Sequence, residues 1–260
     1  MLNVLSSQFG FRSGDKGTHT SRTIMLDELS ALLESLPMEA SRADYLAAIV
    51  EHNTLGKQTA ATRKLTAQRL RELYVLDPNV ALFRVLRRFW QDDAPGRPLL
   101  ALLCALSRDP LLRATAEPVL AMTSGEELSR QRLTSAIRSA VGDRLNDATL
   151  DKVVRNASSS WVQSGHLQGR VRKFRQPVRP TPLATAYGLM LGYLEGLRGG
   201  RLFETQWTKV FDASPGELRY VAAEAKRLHG LDLKSAGDVI EVGFTSVLTP
   251  QEIKDSRVTH

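Results

Sequence analysis

Seven basic residues, Lys152, Arg155, Arg170, Arg172, Lys173, Arg175 and Arg179, fall within residues 152–194, and that stretch holds no Asp or Glu. The chain has 260 residues, with 35 Lys+Arg against 28 Asp+Glu. Set those seven aside and 28 basic residues face 28 acidic ones, so the whole positive excess lies in this one segment. A second acid-free block, 52–71, adds Lys57, Arg63, Lys64, Arg69 and Arg71. Clustered guanidinium and ammonium groups suit one chemistry above others: charge-assisted hydrogen bonding to phosphate within a locally positive field. A polyanion is the expected target, and nucleic acid heads the list. The competing reading is two solvated faces whose acidic partners come from elsewhere in the fold.

Other chemistries have less to stand on. The single cysteine, Cys104, lies in an apolar run and reads as a small buried hydrophobe. His19, His52, His166, His229 and His260 are scattered, without metal-ligand spacing. No serine-nucleophile motif and no carboxylate pair beside a histidine is evident, so neither an enzyme, a cofactor nor a metal is expected. His166 reads as structural. The glycine-rich stretch 10–18 fails phosphate-loop spacing. The apolar runs 99–106 and 183–194 fall short of the roughly 20 residues of a spanning helix, and the first residues lack signal-peptide character. The expectation is a cytoplasmic protein with no membrane partner. Gly188, Gly192 and Gly196 share one helix face and are expected to let another helix approach closely.

The elements that must position the charges are helical. Apolar periodicity predicts helices over 23–36, 42–51, 59–76, 80–90, 99–107, 111–122, 126–141, 148–164 (with Asp147 as N-cap), 183–197 and 214–228. A weak strand fits 239–244, and Thr249-Pro250 reads as the cap of a last turn. The expected fold is all-α with at most a short β-wing or C-terminal strand pair, in two helical lobes. Residues 1–20 form an arm, 21–122 an N-terminal domain and 123–260 a C-terminal domain.

Each lobe carries one basic constellation. Helix 42–51, a turn at 53–56 and helix 59–76 have the frame of a helix-turn-helix. On the second helix, Thr62, Leu65, Thr66, Leu70 and Leu73 are expected inward, and Lys64, Gln68 and Arg71 outward. Lys57 and Gln58 precede its tip, where helix N–H groups favour phosphate. In the other lobe, Leu150, Val153, Val154, Ala157 and Trp161 make an apolar stripe, with Lys152 and Arg155 off it. Gly165 ends that helix, and 170–175 alternates basic and apolar residues as a wing strand would. Val171 is expected on one face and Arg170 and Arg172 on the other. The candidate DNA contacts are thus Lys57, Gln58, Lys64, Gln68, Arg71, Lys152, Arg155, Arg170, Arg172, Lys173, Arg175 and Arg179.

Three stretches, TSRTIMLDEL at 20–29, LGKQTAATRKL at 55–65 and ASSSWVQSGHLQG at 157–169, resemble the BrxA family of bacteriophage exclusion (BREX) defence systems. The resemblance spans about 21–250 and implies an all-α, non-enzymatic protein. It also implies two positively flanked helix-turn-helix elements that bind duplex DNA beside other BREX proteins. An RNA-binding helical module and a protein–protein assembly adaptor are the alternatives. The low aromatic content of 6% disfavours single-strand stacking.

Overall fold

The computed structural model describes residues 4–237 and 239–257. It is mostly helical, with two short two-stranded antiparallel sheets. The helices run α1 (Leu26–Glu34), α2 (Arg42–Val50), α3 (Ala60–Tyr74), α4 (Ala81–Asp92), α5 (Arg97–Arg108), α6 (Pro110–Arg113), α7 (Ala116–Leu120), α8 (Arg130–Val141) and α9 (Asp147–Gln163). A hairpin, β1 (Leu167–Gln168) with β2 (Phe174–Arg175), leads to α10 (Pro182–Leu194) and α11 (Pro215–Arg227). A second hairpin, β3 (Asp232–Ala236) with β4 (Val239–Gly243), precedes α12 (Pro250–Asp255).

The centre is built from the two most apolar helices. Every residue of α10 from Leu183 to Leu194 is buried, as is every residue of α5 from Leu99 to Arg108. Such all-round apolar helices have no solvent face and must be enclosed. The α3, α4 and α10 helices pack on α5, and α11 packs on α10. The α10 N-terminus sits on Asp93, whose Oδ2 accepts the N–H groups of Leu183 and Ala184 and the Thr181 hydroxyl. That buried carboxylate satisfies helix-end donors that would otherwise be orphaned. Gly188 and Gly192 on α10 do receive a close neighbour, but not another α-helix, and Gly196 is not on the helix face: it lies beyond the end of α10 at φ +93°. A Cβ on Gly188 would lie 2.9 Å from the Phe211 ring, and one on Gly192 3.0 Å from Thr205, both in irregular segments rich in 3-10 turns.

Capping explains where several helices start. Ser41–Asp44, Ser214–Glu217 and Thr249–Glu252 form reciprocal capping boxes. The α9 cap is Asn146, not Asp147: its Oδ1 accepts the Thr149 N–H at 2.8 Å. The helix expected over 111–122 is two pieces, α6 and α7, divided at Thr115. That buried hydroxyl accepts the Trp161 indole N–H. The helix expected from 126 starts at Arg130, because 126–128 is extended and pairs with β2 instead. The β3 strand had no clear signature in sequence and pairs along the whole of β4.

The described part of the arm is packed against the body of the protein. Phe9, Phe11, Thr18 and His19 are all buried. Arg108, itself buried, donates to the carbonyls of Gly10 in the arm and of Glu72 and Arg71 near the end of α3. Burial lowers its pKa to about 10, and carbonyls rather than a carboxylate hold its charge.

Candidate nucleic-acid interface

The second basic segment folds around the β1–β2 hairpin, with the extended residues 125–128 bonded along its other edge. β1 and β2 pair with Leu167 opposite Arg175 and Gln168 opposite Phe174. Residues 125–128 then line the other side of β2: Leu128 N–H donates to Lys173 O, Arg175 N–H to Glu126 O, and Gly125 N–H to Arg175 O. In chain order this is a short helix, a strand, α8, α9, a strand, a loop and a strand. The residues 169–173 form the loop, the wing tip. Gly169 has φ +120° there, and a Cβ on it would meet the Arg172 carbonyl oxygen at 2.0 Å, so the tip demands glycine. Lys173 Nζ closes the loop on the Arg170 carbonyl at 3.0 Å.

The start of α8, the middle of α9 and the wing tip enclose an open groove of about 170 Å³. Arg130, Arg155, Arg172 and Lys173 rim it over a floor of Leu133 and Val154. Arg172 grips Glu127 with two nitrogens and lies over the Phe174 ring, 5.4 Å from its centroid. The Glu127 carboxylate raises the Arg172 pKa, and Arg172 lowers that of Glu127. Arg130 pairs with Asp151. Lys152, Arg155, Arg170 and Arg179 are exposed, and among the described residues none has a carboxylate partner. The apolar stripe of α9 is buried as its spacing predicts.

Two expectations about the wing fail. Val171, Arg170 and Arg172 do not divide between faces; all three are exposed, because 169–173 is loop and the strand is two residues long. Arg175 is no surface cation. It is 2% exposed, its guanidinium donating to the carbonyls of Val119, His166 and Gln176 and pairing with Asp212. Cross-strand partners share a face. Leu167 turns into the core, so Arg175 opposite it must follow.

The first constellation is also formed, with its charges differently placed. The α2–α3 turn places Asn53 and Gly56 at positive φ, and Asn53 Oδ1 takes the Lys57 N–H. Thr59 caps α3 by accepting the Thr62 N–H. Lys64, Gln68 and Arg71 are exposed as expected. The inward face is rotated from the one expected: Thr66, Ala67, Leu70, Leu73 and Tyr74 are buried, whereas Leu65 is 37% exposed and Thr62 half-buried. Leu65 lies off the buried face, which carries Thr66, Ala67, Leu70, Leu73 and Tyr74 in a helix that packs on both α2 and α5. Lys57 is half-buried on Glu28 at 3.0 Å, Arg69 pairs with Glu72 at 2.7 Å, and Gln68 donates to Glu72. Gln58 is exposed at the tip.

A buried polar cluster escaped the sequence reading. His19 Nδ1 lies 2.8 Å from Asp109 Oδ2, and His19 Nε2 lies 2.8 Å from Ser160 Oγ. The connectivity is that of a serine–histidine–acid relay. Yet Ser160 Oγ also accepts the Ile24 N–H and donates to the Asn156 carbonyl, and all three residues are at most 1% exposed. Its bonding capacity is filled by the protein, leaving no place for a substrate carbonyl. The cluster clasps the arm to α9. Asn156 reinforces it through the His19 carbonyl, and Gln163 through Thr23 and Leu26. No local motif signals it, because its members are up to 141 residues apart.

His166 is likewise internal, between the Ser164 hydroxyl and the Val210 carbonyl. Burial lowers its pKa to about 4, against the opposing pull of the Val210 carbonyl. Burial also pushes the Cys104 thiol up to about 11. Among the described residues, no group of three or more His, Cys, Asp or Glu is placed to hold a metal ion, and no helix is long and apolar enough to cross a membrane. No known protein-family model and no curated protein matches the chain.

Proposed function

We propose that this protein binds duplex DNA through α8, α9 and the wing, used as a winged helix-turn-helix. The observation that carries this reading is the set Lys152, Arg155, Arg170 and Arg179, exposed and without a carboxylate partner among the described residues. Exposed cations that no carboxylate neutralises attract a polyphosphate backbone, whose binding supplies the missing counter-charge. The strand–helix–helix–hairpin order supports this reading, because folds of that order present their second helix to the major groove with the wing on the backbone beside it. Duplex is favoured over single-stranded RNA. The aromatics of the segment, Trp161, Tyr187 and Tyr193, are buried, and Phe174 is half-buried beneath Arg172, so no ring of this segment is exposed as a stacking platform.

The resemblance to the BrxA family extends the reading to a non-enzymatic component of a phage-defence system that works beside other BREX proteins. Fluorescence anisotropy on two unrelated duplexes of equal length, at roughly 50 mM salt where nonspecific phosphate binding is strong, tests the DNA reading. Micromolar or tighter binding to both is the expected result. No binding to either at micromolar protein refutes it. Loss of phage resistance on deleting the gene from its own locus tests the defence role separately.

A further inference from the structure

The α2–α3 hairpin leaves an open groove of about 460 Å³ on its outer side. Its floor is Leu46, Ala47 and Val50 of α2 with Ala67 of α3, and Lys64 and Arg71 stand along one rim. We propose that this groove docks an amphipathic helix of a partner protein, with apolar side chains on the floor and Asp or Glu flanking them against α3. The proposal goes beyond the DNA reading and concerns a different surface.

Three observations lead to it. First, the floor is apolar and small-sided. Phosphates and sugars gain nothing from covering Leu46, Ala47 and Val50, whereas an apolar side chain removes that surface from water. Alanines at the contact let a partner helix axis come within the roughly 8 Å that the closest helix pairs reach. Second, the charge is one-sided and sparse. Of the five cations in 52–71, Lys57 and Arg69 are held by Glu28 and Glu72, and Arg63 turns to the Glu51 carbonyl. That leaves Lys64 and Arg71, seven residues apart on the same side of α3 and both at the groove. Two cations separated by two helical turns match two acidic residues at the same spacing on a helix lying alongside. Third, the dimensions suit a short helix. α2 has nine residues, giving about 13 Å of groove wall. That length is spanned by apolar anchors at i, i+3 or i+4, and i+7. Glu51 at the C-terminal end of α2 adds direction: a basic residue suits the partner at that end and an acidic one over α3.

The test is selection from a displayed library of helix-forming peptides, with the full-length protein as bait and an unrelated helical protein as control. The expected outcome is enrichment of sequences with apolar residues at i, i+3/i+4 and i+7 and with Asp or Glu on one flank. Synthetic versions of the enriched peptides should then lose at least about tenfold in affinity, the scale of a removed hot spot, for Ala47→Trp, which fills the floor. A similar loss should follow Lys64→Glu/Arg71→Glu, whose side chains are exposed and whose fold is checked by circular dichroism. A 20-base-pair duplex should leave peptide binding unaffected. The proposal is overturned by no enrichment above the control, or by peptides indifferent to the charge-reversed variant. It is equally overturned if the duplex displaces the peptide and Ala47→Trp weakens DNA binding, since the groove would then belong to DNA. None of these results depends on whether α9 and the wing bind DNA.

Discussion

The α2–α3 hairpin and the α8–α9–wing element begin from the same sequence feature, a run of cations without a carboxylate, and end as different surfaces. In the hairpin, Glu28, Glu72 and the Glu51 carbonyl reach in from outside the run and leave Lys64 and Arg71 beside an apolar groove. In the wing element, Glu127 and Asp212 take Arg172 and Arg175, but Lys152, Arg155, Arg170 and Arg179 stay unneutralised. An acid-free stretch of chain is therefore not an acid-free surface. What decides its chemistry is which neighbours in space supply counter-charge, and what lies between the cations that remain.

The largest expected effect contrasts the two surfaces directly. Lys152→Ala/Arg155→Ala/Arg170→Ala should weaken binding to every duplex tested. It should also flatten the log-affinity against log-salt slope by up to about 2.7, at about 0.9 for each phosphate no longer neutralised. Lys64→Ala/Arg71→Ala should leave that slope nearly unchanged, although both variants remove exposed cations. A salt titration of both variants on one duplex decides it. If the hairpin variant flattens the slope as much as the wing variant, the two surfaces share one function.

The next effect separates two arginines within the wing element. Arg175→Ala should destabilise the fold by about 3–5 kcal/mol, the usual penalty for breaking a buried ion pair and orphaning its partners. Arg170→Ala, on an exposed residue four positions before β2, should hardly shift the thermal midpoint. Thermal melts of the two variants check this, and equal midpoints would mean that Arg175 is not the staple between β2, α7 and Asp212.

A third effect depends on pH. His166 has a folded pKa of about 4, below the ordinary value of 6.5. Above pH 6.5 both the folded and the unfolded forms are neutral and nothing depends on pH. Between 6.5 and about 4 the unfolded chain takes up a proton that the folded protein refuses, so stability falls with pH, by about 3 kcal/mol across the window. Asp109 acts in a lower window. Burial alone would raise its pKa, but His19 and the backbone N–H groups of Leu112 and His19 outweigh this and hold it low. Its contribution is present above 3.8 and disappears as pH falls further. Urea titrations between pH 4 and 8 should show the first slope, and His166→Gln should flatten it.

The helical class, most helix cores, the α9 stripe and the outward set Lys64, Gln68 and Arg71 could be read from periodicity, since each depends on neighbours three or four residues away. What escaped depends on distant chain. Arg175 looked like Arg170 and Arg172 until the register with Leu167 and the arrival of Asp212 fixed its side. The inward face of α3 is set by packing on both α2 and α5, which lie outside the helix's own periodicity, and Leu65 falls off it. The arm looked polar, yet His19 finds Asp109 and Ser160 across 90 and 141 residues. The extended stretch at 126–128 looked helical because its partner, β2, lies more than 40 residues on. Local pattern determined the elements, and long-range pairing determined which charges stayed free.

The smallest expected effect is a gain. Glu127 stands at the groove of the wing element, where it both neutralises Arg172 and adds a negative charge facing any approaching phosphate. Glu127→Gln keeps the shape and a hydrogen-bond acceptor but removes the charge. Arg172 then has no carboxylate to hold it and can turn from the Phe174 ring to the backbone of a duplex. Affinity for duplex DNA should rise severalfold at low salt. The salt slope should steepen by up to about 0.9, the increment for one more phosphate neutralised. Both members of the pair are exposed, so the thermal midpoint should move little. The matching change in the hairpin is Glu72→Gln, which frees Arg69 beside the arm, outside the groove lined by Lys64 and Arg71, and should not raise DNA affinity. Anisotropy titrations of the two variants beside the wild type supply the comparison. A gain for Glu72→Gln without one for Glu127→Gln would exchange the roles given to the two surfaces.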